Sequence, residues 1–165
     1  MPIPIIPAQK EYMMTETQNL GTHEEYLKLE NQLCFPLYAT SRMITRLYQP
    51  LLSKLGITYP QYIVMLVLWE DDALSIKEIG ERIQLNTNTL TPLLKRMEEL
   101  KFISRSRSVR DERIVLVNLT KAGSDLKSKA LEIPAQLMGS LNYPADKAIE
   151  LKRMLDEFLK GLNQS

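Results

Sequence analysis

The residue best placed to do chemistry is a single thiol. Cys34 is the only cysteine among 165 residues, and His23 is the only histidine. One Cys and one His cannot assemble a zinc site, and one Cys cannot close an intrachain disulfide. Neither a metal nor another cofactor is expected, and His23 is given no role. A thiolate is a nucleophile: peroxide converts it to a sulfenic acid, which condenses with another thiol or oxidises further. A sulfur used this way must be stabilised yet reachable. Tyrosine hydroxyls serve both needs, because they donate hydrogen bonds to a thiolate and leave apolar surroundings suited to an organic hydroperoxide. Tyr38 lies four residues after Cys34 and shares its helix face. Tyr48 lies fourteen residues on, about 21 Å along a continuous helix. It reaches the thiol only if Pro36 or Pro50 folds the chain back, or if it comes from the other subunit of an antiparallel dimer. The plainer alternatives are a buried, inert thiol and ordinary core aromatics.

The elements that position these residues follow from periodicity. Residues 1–22, proline-rich and then polar, read as a mobile tail, with Met13 or Met14 as a second candidate start. Leu29, Leu33, Leu37, Ile44, Leu47, Leu51 and Leu55 recur at helical spacings, which predicts a long helix over about 24–55. Pro36 is expected to bend that helix or end its first part, Pro50 to do the same near the other end, and Gly56 to close it. Pro60 opens the next helix, Asp71-Asp72 ends it, and Ala73-Leu74 reads as a very short strand. Ser75 and Glu78 form a capping box for a short helix with Ile76, Ile79 and Ile83 inward. A second helix is expected over Thr89–Leu100, with Pro92 tolerated only near its first turn. Phe102–Arg107 and Arg113–Leu119 alternate as strands around the charged turn Ser108–Glu112. Thr120 caps a helix carrying Leu126, Ala130, Ile133, Leu137 and Leu141, kinked at Pro134, and Pro144 begins a last helix. The fold class is mainly α with a small β-hairpin: a winged helix-turn-helix with long N- and C-terminal dimerisation helices. Residues 23–165 read as one domain, its DNA-binding part at about 60–120 and its dimerisation helices at about 24–55 and 121–163.

Two short helices followed by a charged hairpin is the order of a reading head, whose second helix fits the major groove. Asn86, Thr87, Asn88, Thr89 and Thr91 cluster where base edges are read, and Lys95 and Arg96 follow at phosphate-contacting positions. The hairpin adds Arg105, Arg107, Arg110, Asp111 and Arg113. Seven cations face four acids between Lys95 and Arg113, although the whole chain carries only +1, so attraction for DNA is local. Apolar residues make up 44% and charged residues 25%, a foldable mix, and no apolar run approaches the roughly 20 residues that span a bilayer. The N-terminus has no basic start and does not read as a signal peptide. A cytoplasmic setting is the expectation, with no membrane partner.

Together these features resemble the MarR family of dimeric winged-helix regulators over about residues 26–163. The resemblance rests on the helix pair from Leu74 to Leu100, the wing sequence Asp111-Glu112-Arg113 and the run Leu119-Thr-Lys-Ala-Gly123. It implies that Asp111 orders the hairpin and Arg113 enters the minor groove. A narrower resemblance is to the organic-hydroperoxide-resistance (OhrR-like) repressors of that family. It is carried by Asn31-Gln-Leu-Cys-Phe-Pro-Leu-Tyr-Ala-Thr-Ser-Arg42, Tyr48 and Ile57-Thr-Tyr-Pro-Gln-Tyr62. It implies a redox sensor built from Cys34 with Tyr38, Tyr48 and Tyr59, the last two supplied by the other subunit. Many such repressors carry a second, resolving cysteine; this chain has none and resembles the one-cysteine type.

The expected function is therefore a repressor that senses organic hydroperoxides by oxidation of Cys34 and then releases double-stranded operator DNA. The expected state is a homodimer. With no second thiol, a low-molecular-weight thiol must form a mixed disulfide, or over-oxidation must add charge. One alternative is a MarR-type repressor released by a small aromatic ligand in the dimer crevice, with Cys34 structural. A thiol peroxidase is disfavoured: the sequence offers no resolving Cys, no basic residue beside Cys34 and no activating His. A purely structural helical dimer leaves the cationic hairpin without a purpose.

Overall fold

The computed structural model describes residues 26–163. Expectations about the tail at 1–22 and about His23 lie outside the described residues. By its internal contacts the chain divides into two units, one of residues 44–140 and one holding 26–43 and 141–163. Helix α1 (Cys34–Ser53) belongs to both.

The long helix starts later than periodicity alone suggests. Leu29–Asn31 form a 3-10 turn and Gln32 is extended, so α-helix begins only at Cys34. Pro36 sets this start. As the third helical residue it occupies a position whose N–H has no intrahelical acceptor anyway, so nothing is lost there. Pro36 therefore neither bends nor divides the helix. Pro50 lies inside the last turn, and Gly56, at φ +71°, follows the end of the helix at Ser53.

The 44–140 unit holds the core. α2 (Tyr59–Glu70) begins with Pro60 in its first turn, and the Thr58 N–H donates to Gln61 Oε1 at 2.8 Å. Strand β1 is Leu74–Ser75 rather than Ala73–Leu74. Ala73 sits at φ +59°, a left-handed conformation that no strand residue adopts. The expected capping box opens α3 (Ile76–Ile83): Glu78 N–H donates to Ser75 Oγ, and Ser75 N–H to Glu78 Oε2. α4 (Thr87–Glu99) starts two residues before Thr89, because Asn86 supplies the cap. That puts Pro92 at the sixth helical position, in the second turn rather than the first, where its missing N–H leaves the Asn88 carbonyl without its usual helical partner.

β2 (Ile103–Arg107) and β3 (Val115–Leu119) pair antiparallel, Arg105 opposite Val117, and β1 joins the far side of β3 to give the order β1-β3-β2. Thr120 caps α5 (Lys121–Ala130). The stripe read as one helix kinked at Pro134 is two helices: the helical pattern is interrupted by a turn at 131–132, although Leu131 keeps helical backbone angles, and Pro134 falls in the first turn of α6 (Ile133–Ser140). Leu52, Tyr62, Met65, Leu68, Ile79, Leu90, Leu94, Met97, Ile103 and Val117 are nearly or fully buried, so one apolar core runs under both reading-head helices and the hairpin. α5 closes tightly on that hairpin. A Cβ on Gly123 would stand 2.0 Å from the Phe102 carbonyl oxygen, and Trp69 Nε1–H donates to Gly123 O at 3.0 Å.

In the other unit, α7 (Ala145–Asn163) buries none of its residues. Its Ile149, Met154, Phe158, Leu159 and Leu162 are exposed, as are Leu33, Phe35, Tyr38 and Met43 of the segment entering and forming α1.

Candidate functional site

α3, α4 and the β2–β3 hairpin present one polar surface because the core claims the other side of each. On α4, Leu90, Leu94 and Met97 are buried, which turns Thr87, Thr91 and Lys95, spaced four apart, to solvent together with Asn88 and Arg96. Three residues expected at base edges, Asn86, Thr89 and Thr91, are already engaged. Asn86 Oδ1 accepts from both the backbone N–H and the hydroxyl of Thr89, at 2.9 and 3.0 Å. Thr91 Oγ1 donates to the Thr87 carbonyl at 2.7 Å and keeps only acceptor capacity.

The hairpin separates its arginines. Arg113 is forked onto Asp111, with Nε to Oδ1 at 3.0 Å and Nη2 to Oδ2 at 2.9 Å, while its backbone N–H donates to the same carboxylate. Those bonds hold the Asp111 carboxyl below its ordinary range and raise the Arg113 guanidinium further. Arg113 remains 90% exposed. Arg107 donates to the Glu112 carbonyl at 3.0 Å, and Arg110 is exposed with its N–H on Ser108 Oγ. Arg105 departs from expectation. Its side chain, only 25% exposed, turns back to Glu98 of α4, with Nε and Nη2 donating to Oε2 at 3.0 and 2.6 Å. A guanidinium neutralised in this way is poorly available to a phosphate.

Cys34 is exposed at the first position of α1. Tyr38 is one turn on and exposed, and its phenol oxygen accepts from Arg42 Nη1 at 2.9 Å, with the Arg42 guanidinium carbon 5.4 Å from the ring centre. Cys34, Tyr38 and Arg42 are spaced four apart, a signal present in the sequence that points to Arg42 as a third member of the row. Tyr48 and Tyr59 belong to the 44–140 unit. Their ring centres are 4.9 Å apart, and Tyr62 joins them at 5.7 Å from Tyr48. Burial, then the neighbouring phenols Tyr59 and Tyr62, push Tyr48 up to about 12. Burial also raises Tyr59 and Tyr62. These three hydroxyls therefore stay protonated near neutral pH. α1 is unbroken from Cys34 to Ser53, so neither Pro36 nor Pro50 folds Tyr48 back along it.

Among the described residues no group of three or more His, Cys, Asp or Glu could hold a metal ion, and no helix is long and apolar enough to cross a membrane.

Helix-turn-helix, short strand and charged hairpin on one core define a winged-helix, DNA-binding transcription regulator of the MarR type. The chain belongs to the SarA/Rot family of transcriptional regulators, which matches residues 46–130. It is 49% identical over 140 residues to the organic hydroperoxide resistance transcriptional regulator of Bacillus subtilis, covering 85% of this chain and 95% of that one. Among solved structures it resembles reduced AbfR bound to DNA, with TM-score 0.74, 34% identity and coverage of 87% of this chain and 98% of that one. It also resembles overoxidized AbfR bound to DNA, with TM-score 0.68, 34% identity and coverage of 86% and 99%. AbfR is a protein of Staphylococcus epidermidis. The family and the Bacillus subtilis relative are transcriptional regulators, a non-enzymatic class, and this chain is a transcriptional regulator.

Proposed function

We propose that the chain is a homodimeric repressor that reads operator DNA with α4 and the hairpin and releases it when an organic hydroperoxide oxidises Cys34. The observation that carries the sensing part is the row Cys34, Tyr38, Arg42. The thiol is exposed, and the Tyr38 oxygen already receives Arg42, so the Tyr38 proton is free to be donated. The thiolate sulfur attacks the distal peroxide oxygen, the O–O bond breaks, and the departing alkoxide takes a proton to leave as an alcohol. The sulfenic acid then condenses with a low-molecular-weight thiol, giving a mixed disulfide and water. The name of the Bacillus subtilis relative supports an organic hydroperoxide as oxidant. Since overoxidized AbfR is found bound to DNA, the mixed disulfide is the better release route than over-oxidation.

Tyr48 and Tyr59, as neutral donors, serve the Cys34 of a second copy, because an unbroken α1 separates Tyr48 from its own Cys34 by about 21 Å of helical rise. The exposed apolar side chains of α7 and early α1 supply the dimer surface. Thr87, Asn88, Thr91, Lys95, Arg96, Arg107, Arg110 and Arg113 face the DNA, with Asn86, Thr89 and Asp111 holding their neighbours in place. A free thiol kept reduced until challenged suits the cytoplasm.

A second reading is favoured by one cavity of about 300 Å³, in which Arg46, Gln49 and Tyr59 meet Leu52, Ile57 and Pro60. It would hold a small aromatic ligand that releases the repressor without Cys34. One experiment separates the two: binding to a duplex selected from random sequence, with and without organic hydroperoxide plus small thiol. Wild type is expected to release and Cys34→Ser to stay bound. Equal release of both removes Cys34 from the sensing role.

A further inference from the structure

We propose that Glu98 and Arg105 are positioning residues for DNA binding: they lock the wing to the recognition helix, so that Arg113 is presented to its groove at a fixed angle. The inference rests on reading the hairpin as a DNA-contacting wing.

Three hydrogen bonds join the pair, and one of them is not an ion-pair contact. The backbone N–H of Arg105 donates to Glu98 Oε1 at 3.0 Å, while Nε and Nη2 of the same residue donate to Oε2 at 3.0 and 2.6 Å. β2 is the outer strand of a sheet ordered β1-β3-β2, so one side of its backbone has no neighbouring strand. A carboxylate from the last turn of α4 takes the place of a strand carbonyl there, and the guanidinium folds over the same carboxylate. Side-chain exposures of 25% and 35% shield the arrangement from solvent. The side-chain hydrogen bonds from Arg105 are the main reason that the Glu98 carboxyl lies below its ordinary range, with the backbone N–H bond and the Arg105 charge adding to them.

The position of this lock matters more than its strength. Ile103, at the start of β2, is fixed by burial in the core. β1 pairs along β3 as far as Leu116, opposite Ser106, so past Ser106 the hairpin is a two-stranded ribbon ending in the Ser108–Ile114 loop. An isolated two-stranded ribbon is marginal in water. Arg105 ties the ribbon to α4, and the tip carrying Asp111 and Arg113 lies beyond it. The two arginine forks of the wing thus differ in purpose. Arg113 is forked and 90% exposed, whereas Arg105 is forked and mostly covered.

The test measures binding to a duplex selected by wild type from random sequence, over a range of salt, for Glu98→Gln, Arg105→Lys, Arg113→Ala and the double variant Glu98→Gln/Arg113→Ala. Amide hydrogen exchange in the free proteins follows the wing directly. Glu98→Gln and Arg105→Lys are each expected to weaken binding about tenfold, a loss of the size that one misplaced groove-directed arginine would give. The salt slope stays unchanged, amides 105–115 exchange faster, and Glu98→Gln adds no further loss in the Arg113→Ala background. Tighter binding and a steeper salt slope in Glu98→Gln would overturn the proposal, since Arg105 would then be a phosphate contact that Glu98 restrains. An equal loss with and without Arg113 would overturn it too, because the pair would be supporting the fold in general. If Arg113→Ala binds like wild type, the DNA reading of the hairpin fails instead. The lock is then judged by wing exchange alone, and unchanged protection in Glu98→Gln refutes it.

Discussion

Raising the pH measures how closely the Tyr48, Tyr59 and Tyr62 rings are packed. Tyr48 moves from 10.0 to about 12, first because burial penalises the phenolate and then because Tyr59 and Tyr62 would repel it. The folded chain therefore favours the neutral phenol. Above about pH 10 the unfolded chain releases that proton while the folded chain keeps it, so the unfolded state binds fewer protons and stability falls with rising pH. The fall from this residue ends near pH 12, where the folded Tyr48 also ionises. Two units at about 1.4 kcal/mol each give at most about 2–3 kcal/mol. Urea unfolding from about pH 8 to about pH 12, with tyrosinate absorbance followed in parallel, reads this directly. Tyr48→Phe keeps the ring stack and removes the ionisation. Its stability relative to wild type is expected to rise by that amount across the window, and the last tyrosinate step is expected to disappear. Parallel loss of stability in both proteins would refute the packing argument, and with it the view that these hydroxyls are held as donors.

Four further outcomes are expected. Gly123→Ala forces a methyl against the Phe102 carbonyl, which is backbone and cannot rotate away; a loss of about 1–3 kcal/mol or more in urea unfolding is expected, and wild-type stability would contradict the close approach. Arg113→Ala is expected to weaken operator binding strongly, whereas Lys95→Ala weakens it evenly across sequences and flattens the salt slope by about one unit; titrations at several salt concentrations check both. Tyr38→Phe is expected to slow Cys34 oxidation, followed by mass spectrometry, without changing DNA affinity. Light scattering is expected to give a dimer at low micromolar concentration, and a stable monomer would leave the exposed α7 face unexplained.

Local signals in the sequence led to most of this fold. The Ser75–Glu78 box, the Thr120 cap and the first-turn Pro60 each act within a few residues and are found where they were read, while the two alternating strands start later than read, at Ile103 and Val115 instead of Phe102 and Arg113. Proline was the main source of error. Pro36 starts a helix instead of bending one, Pro92 sits a turn deeper than its chemistry prefers, and Pro134 opens a separate helix. For Pro92 the position depended on where the neighbouring cap fell, since Asn86 caps α4 and so moves Pro92 inward. Ala73, in a left-handed turn, gave no sign of its conformation. The site was legible where spacing is helical, as for Cys34 and Tyr38. It was not legible where a bond crosses between elements. Arg105 was one more cation in a charge run until its partner on α4 was known, and the stacking of Tyr48 on Tyr59 depends on a turn at Gly56 that periodicity does not orient.

Trp69 is the only tryptophan in the chain. Its indole N–H is held by the Gly123 carbonyl, and its ring lies 6.3 Å from Tyr62, edge to face. Tyr62 is in turn stacked with Tyr48. The molecule therefore carries its own optical gauge. Light absorbed by the tyrosines passes to one emitter, and an emitter bonded to α5 reports the spacing of α2 and α5 without any added dye. Tyrosinate absorbs where indole emits, so ionisation in the stack dims Trp69 at short range. A change that loosens the stack or pulls Gly123 away from the indole is written into a single fluorescence band, free of contributions from other tryptophans.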